Sequence, residues 1–196
     1  MKNVLLTLVA IVVMIALWGV PKYNQLQALD EGTTAAWSEV LNQYKSRNEL
    51  IPNLVATVKG YAAHEEKVFT EVTNARAKVG SIQLSGNQVP DETTLKQYTQ
   101  AQSELSSALS RLLVVSENYP ELKADKNFLE LQAQLEGREN RVNLARNRYI
   151  EAIKQFNVAV RAFPTNFIAQ FSGLSVKPNF TVENETQVAE PPKVEF

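Results

Sequence analysis

The side chains with catalytic potential are few and poorly spaced for catalysis. The chain holds a single histidine, His64, and no cysteine. His64-Glu65-Glu66 matches the opening of a zinc-peptidase helix. That motif needs a second imidazole one turn later to complete the metal's ligand set, and position 68 is valine. With one imidazole and no thiolate, zinc would depend on carboxylates for its other ligands, an uncommon set. A di-iron bundle needs a repeated Glu-x-x-His pair and is ruled out by the same count. His64 therefore reads as a solvated or helix-capping residue. Ser103, Ser106, Ser107 and Ser110 supply hydroxyls, yet no base is at hand to turn one into a nucleophile. No glycine-rich phosphate loop occurs.

Two charged or polar clusters remain. Glu136 and Glu139 sit among Arg138 and Arg141 at helical spacing, which reads as ion pairing within and between helices on a solvated face. Asn140, Asn143, Asn147 and Asn157 interleave with Arg138, Arg141, Arg146 and Arg148. Asparagine is a mediocre helix former, so this density points to interhelical hydrogen bonds that fix register, ahead of a partner surface. No residue is assigned a catalytic, cofactor-binding or metal-binding role, and no cofactor is expected.

The elements that carry these residues are helices behind a membrane anchor. Residues 4–20 (VLLTLVAIVVMIALWGV) are uncharged and flanked by Lys2 and Lys22. As a helix they span about 25 Å, at the short end for crossing a bilayer. Trp18 lies near the end of the run, where indoles favour the interface. A cleaved signal peptide is the rival, but Trp18-Gly19-Val20-Pro21-Lys22 lacks the pair of small residues that cleavage requires. An uncleaved, single-pass anchor over residues 1–21 is expected. Lys2 against Lys22 tilts the positive-inside balance slightly toward a cytoplasmic N-terminus and an extracytoplasmic domain. The whole chain carries 20 basic and 21 acidic residues, so it lacks the concentrated basic field that nucleic acid requires. At 196 residues it holds one domain with a substantial core.

Apolar residues at three-to-four spacing predict a helix over residues 23–79, with Pro52 imposing a kink or restart near Ile51. Residues 81–90 read as a loop, and residues 91–117 as a second helix with Asp91 and Glu92 in its first turn. A third helix shows a seven-residue series, Phe128, Leu135, Val142, Tyr149, Phe156 and Phe163. A series of that length signals a left-handed bundle or coiled coil. Pro164 closes it, a short apolar helix follows within residues 165–174, and residues 175–196 read as a disordered tail. The expected fold is all-α: an N-terminal transmembrane helix, then an elongated antiparallel up-and-down bundle over residues 22–174, of three or four long helices depending on Pro52.

Several of these segments also carry a resemblance. Tyr44-Lys45-Ser46-Arg47-Asn48-Glu49-Leu50-Ile51-Pro52-Asn53-Leu54-Val55, then Val58-Lys59-Gly60-Tyr61-Ala62 and His64-Glu65, resemble the signature of the LemA family. Tyr119-Pro120-Glu121-Leu122-Lys123-Ala124, Leu135-Glu136 with Glu139, Arg146 to Tyr149, Phe156-Asn157 and Phe163-Pro164 are similar to it too. The resemblance covers roughly residues 20–180 in order. It implies a bacterial, membrane-anchored, antiparallel four-helix bundle without an established catalytic activity. It also implies genomic neighbours encoding TPM-domain proteins or HtpX-type membrane peptidases. Ile150 departs from the family, where asparagine is common.

The function expected from these features is a membrane-anchored, non-enzymatic scaffold or adaptor of the bacterial envelope. It would act through contacts with other envelope proteins, with homo-oligomerisation as an option. The alternative is a bundle that binds a lipid or small ligand, with Phe128, Tyr149 and Phe156 lining a cavity.

Overall fold

The computed structural model describes residues 2–180, and among these it contains six helices and no strand. Helix α1 (Lys2–Tyr61) is 60 residues long and carries the apolar segment directly into the bundle. An 18-residue window near its start has a mean hydropathy of 2.6, with none of it buried. Further along, Leu26, Thr33, Trp37, Val40, Tyr44, Arg47, Ile51, Leu54 and Val58 are buried in steps of three, four and seven. That is one helical face.

Of the kink or restart expected near Ile51, the restart does not occur: the helix runs unbroken through Pro21 and Pro52. A proline removes one amide donor from the ladder. Ile51 and Leu54, each 1 % exposed, hold the turn on either side of Pro52 in the core. The break falls instead at residues 62–65, where Glu65 N–H donates to the Ala62 carbonyl (3.0 Å) and the chain reverses into α2 (Glu66–Ser81). The apolar stripe keeps its period on both sides of this turn, with Val58 and Ala62 before it and Phe69 and Val72 after it. Periodicity alone therefore cannot reveal it.

Helix α3 (Glu92–Ser116) starts where Asp91 accepts the Thr94 amide at 2.9 Å. Helix α5 (Lys126–Arg161) starts where Asp125 accepts the Phe128 amide at 2.9 Å. In each case the carboxylate satisfies an amide that the helix cannot. The single turn α4 (Pro120–Lys123) links them, and α6 (Thr165–Phe171) follows α5. Helices α1, α2, α3 and α5 form an up-down-up-down bundle. Arg47–Glu139 (2.6 Å) and Arg148–Glu39 (2.7 Å) mark the antiparallel register of α1 with α5. Lys78–Glu104 (2.7 Å) and Arg111–Glu71 (3.0 Å) mark that of α2 with α3.

The main core gathers residues from Trp37 on α1 to Ile153 on α5. A second cluster (Leu26, Phe156, Val160 and Ala169) ties α6 to α1 and α5. Each large side chain buried there contributes about 1.5–3 kcal/mol of transfer free energy. The seven-residue series is buried at five of its six positions, and Phe163 leaves it, 81 % exposed, because α5 has already ended at Arg161.

The tail expected over residues 175–196 lies partly outside the described residues, which stop at 180. Ser175 and Val176 are exposed, but residues 177–180 are packed, not free. Asn157 Nδ2 donates to the Lys177 carbonyl and Asn157 Oδ1 accepts the Lys177 amide, both at 2.8 Å. Tyr149 Oη donates to the Pro178 carbonyl at 2.9 Å, and Lys177 Nζ pairs with Asp30 at 2.8 Å. Phe180 rests on Tyr149 with ring centroids 5.1 Å apart. Sequence composition misses this strap because its partners lie on other elements.

Candidate functional site

The polar residues that matter most interrupt the apolar stripes of three helices at one level. On α1, Arg47 takes the step between Tyr44 and Ile51; on α3, Gln102 takes the step between Tyr98 and Leu105; on α5, Glu139 falls between Leu135 and Val142. Arg47 is 1 % exposed and Gln102 is 3 % exposed. The guanidinium of Arg47 donates to Glu139 Oε2 (2.6 Å), to Ser106 Oγ (3.0 Å) and to Gln102 Oε1. It also lies over the Tyr44 ring, 5.1 Å from its centroid. One side chain thus joins three helices. A buried cation is tolerated only when paired and hydrogen-bonded, and Glu139 with the two neutral acceptors supplies that.

This layer opens into a cleft of about 360 Å³, bordered by Arg47, Gln102, Glu139, Arg146 and Phe180. The Arg146 guanidinium lies on the Phe180 ring, 4.8 Å from its centroid. Among the described residues, Arg47 Nε, Gln102 Nε2 and Arg146 Nε are buried without a hydrogen-bond partner. Burial raises the pKa of Tyr44, Tyr98 and Tyr149, so these phenols stay protonated at neutral pH. With its phenols neutral, the cluster offers the guanidinium charges of Arg47 and Arg146 and the amide donors of Gln102.

The structure redistributes the residues singled out from sequence. His64 is exposed, in the turn between α1 and α2. Glu65 accepts the Tyr119 hydroxyl at 3.1 Å. Ser106 serves as an acceptor for Arg47, and Ser110 bonds back to the Ser106 carbonyl at 3.0 Å. Of the two glutamates expected to pair on a solvated face, Glu136 is exposed and meets Gln132 on its own helix, while Glu139, its side chain 43 % exposed, makes the interhelical ion pair with Arg47. The register role expected of the asparagines is not theirs. Asn140, Asn143 and Asn147 are exposed, and Asn157 holds the strap. Phe128, Tyr149 and Phe156 do not line one cavity. They are 2 %, 0 % and 0 % exposed, and 28 residues of α5, about 42 Å, separate the first from the last. Among the described residues, no three His, Asp or Glu side chains gather as a metal site would require.

Arg47 was the residue that sequence reasoning passed over. The available signal was a charged side chain occupying a core position of the α1 stripe.

The LemA family model matches residues 36–196, most of the chain and all of the polar layer. The chain belongs to the LemA family. Among similar relatives, magnetosome protein MamQ 2 of Paramagnetospirillum magneticum is 26 % identical over 168 residues, covering 78 % of this chain and 62 % of MamQ 2. MamQ of Magnetospirillum gryphiswaldense is 24 % identical over 168 residues, with the same coverage of 78 % and 62 %. Protein LemA of Metamycoplasma hominis is 24 % identical over 151 residues, covering 77 % of this chain and 65 % of that protein. The chain thus spans less than two thirds of the length of these curated relatives. Its apolar N-terminal helix and its LemA membership mark a membrane-associated protein.

Proposed function

We propose that this LemA-family chain is a single-pass, membrane-tethered helical scaffold of the bacterial envelope that acts through protein–protein contacts and not by catalysis. The outer face of α5 carries this reading. Leu129, Leu144 and Val158 are 50 %, 51 % and 61 % exposed, and they recur about four turns apart, in line along the helix. They stand about 21–23 Å apart with polar residues such as Asn140, Asn147 and Glu151 between them, so they are separate contact points that a partner running along α5 would meet, not one apolar patch. Helix α1 presents that element to other membrane proteins without a break between anchor and bundle. TPM-domain and HtpX-type membrane proteins, or a second copy, are the first partners to test, with the bundle on the extracytoplasmic side.

A photo-crosslinking side chain at Leu144 or Val158, activated in native membranes, is expected to give discrete adducts with a membrane protein. Those adducts should vanish when Leu129 is changed to Lys. Uncrosslinked monomer at both positions would defeat the proposal. Protease shaving of intact cells, following the C-terminal end, tests the side.

The cleft at Arg47 supports a second reading, in which the bundle holds a small ligand. Its lining is polar and cationic, so the ligand would be polar rather than lipid-like. Native mass spectrometry of the purified protein that shows only the mass of the bare chain would argue against it.

A further inference from the structure

The end of the bundle nearest the apolar segment differs from the rest. Phe163, Phe167 and Phe171 are 81 %, 53 % and 93 % exposed. Phe163 and Phe167 meet edge to face with ring centroids 6.0 Å apart. The same domain buries Trp37, Tyr149 and Phe156 completely, so three bare phenyl rings at one end mark a surface made to meet something apolar.

The fold fixes their height. Glu139 is level with Arg47 and Arg148 with Glu39; extending that antiparallel register past Arg161 brings Phe163 level with Tyr23. Helix α6 then turns so that Ala169 packs with Leu26. The uncharged run ends at Val20, three residues and about 4.5 Å along the axis from Tyr23. That run spans about 25 Å, whereas a hydrocarbon core is about 30 Å thick. The shortfall of about 5 Å is the same three residues. A bilayer that makes up the difference on this side brings Tyr23 and Phe163 to the hydrocarbon boundary and α6 into the headgroup layer.

Charge follows the same division. No Asp or Glu occurs in residues 2–29 or 152–176, which include the parts of α1, α5 and α6 that meet at this end, although the whole chain has a net charge of −1. Arg161 is exposed there, and Lys22, half-buried, donates to Gln25 at 3.2 Å. Bare aromatic rings beside cations, with no carboxylate in these described stretches to repel phosphate, match a phospholipid interface.

We infer that the Phe163–Phe167–Phe171 edge inserts into the surface of the same bilayer that residues 4–20 cross. The bundle then stands on the membrane by two contacts instead of one. This rests on the single crossing proposed above. Lipid is favoured over a second copy as the occupant because each molecule's own anchor holds a bilayer within a few ångströms of the edge.

The absence of cysteine permits a direct test. Leu8→Cys, Thr70→Cys, Phe167→Cys and Phe171→Cys are made singly in the full-length chain, spin-labelled, and placed in nanodiscs of phosphatidylcholine and phosphatidylglycerol. Power-saturation EPR then compares access to oxygen, which prefers lipid, with access to a water-soluble nickel chelate. Residue 8 lies in the crossing, and exposed Thr70 lies on α2 near the far end. The nickel-to-oxygen ratio at 167 and 171 is expected to fall severalfold below that at 70, toward the value at 8. A ratio at 171 equal to that at 70, with residue 8 in lipid, would overturn the edge contact alone. Shielding of 171 from both reagents with spin–spin broadening would overturn it in favour of a second copy. Residue 8 open to nickel would overturn the crossing, and the edge contact with it.

Discussion

At the scale of single residues, the bundle depends on one buried cation. Removing Arg47 leaves Gln102 and Ser106 without their donor and opens space in the core. Arg47→Ala is expected to cost about 3 kcal/mol, discounted because Glu139 keeps access to water. Arg47→Met, which refills most of the volume, should cost roughly half as much. Chemical denaturation in detergent checks the order, and equal losses in the two variants would show that the charge network contributes little. The capping carboxylates give a pH signature. The amides of Thr94 and Phe128 hold the pKa of Asp91 and Asp125 below the ordinary carboxylate value. A lowered pKa in the folded state means that the stability is present above the usual Asp range and lost as pH falls through the lowered value. In Asp91→Asn/Asp125→Asn that component is absent, so the gap in melting temperature from the parent should shrink between pH 7 and pH 3. A constant gap would refute the assignment. Arg47 was legible in principle from its place in the α1 stripe, but its partners were not. Nothing local tells that positions 47, 102 and 139 meet, because their proximity exists only once three helices pack.

The elements show which signals sequence carries and which it hides. Helix starts at Asp91 and Asp125 follow from side chains that serve amides in the next turn, so they are local and readable. Pro52 looks like a breaker and is not, because packing around Ile51 and Leu54 outweighs one lost hydrogen bond. The turn at residues 62–65 carries no proline and leaves the stripe in phase, so it stays hidden. The strap of residues 177–180 is a long-range feature of the same kind. Asn157→Ala removes both bonds to Lys177. Hydrogen exchange in a peptide covering residues 175–180 should then rise by an order of magnitude or more, with α1 and α5 unchanged; unaltered exchange would mean that Phe180 and Lys177 hold the strap unaided. At the other contact, Leu26→Ala is expected to cost about 2–4 kcal/mol and to loosen α6 first, since Leu26 anchors the cluster that includes Ala169. A thermal melt with exchange measured on residues 165–171 tests both parts, and uniform loosening would contradict the local account.

For the whole molecule, the continuity of α1 has a mechanical result. From Val20 to Tyr61 the helix runs 41 residues without interruption, about 60 Å. An anchor joined to a domain by a flexible linker would let that domain wander. In the single-pass arrangement proposed above, any change in how steeply the first residues slant through the lipid is carried to the far end as sideways travel, about 10 Å for a 10° change over 60 Å. On that proposal, the turn that holds His64 is the tip of a lever whose short arm is embedded in the bilayer, and local membrane thickness becomes a position in space at that tip.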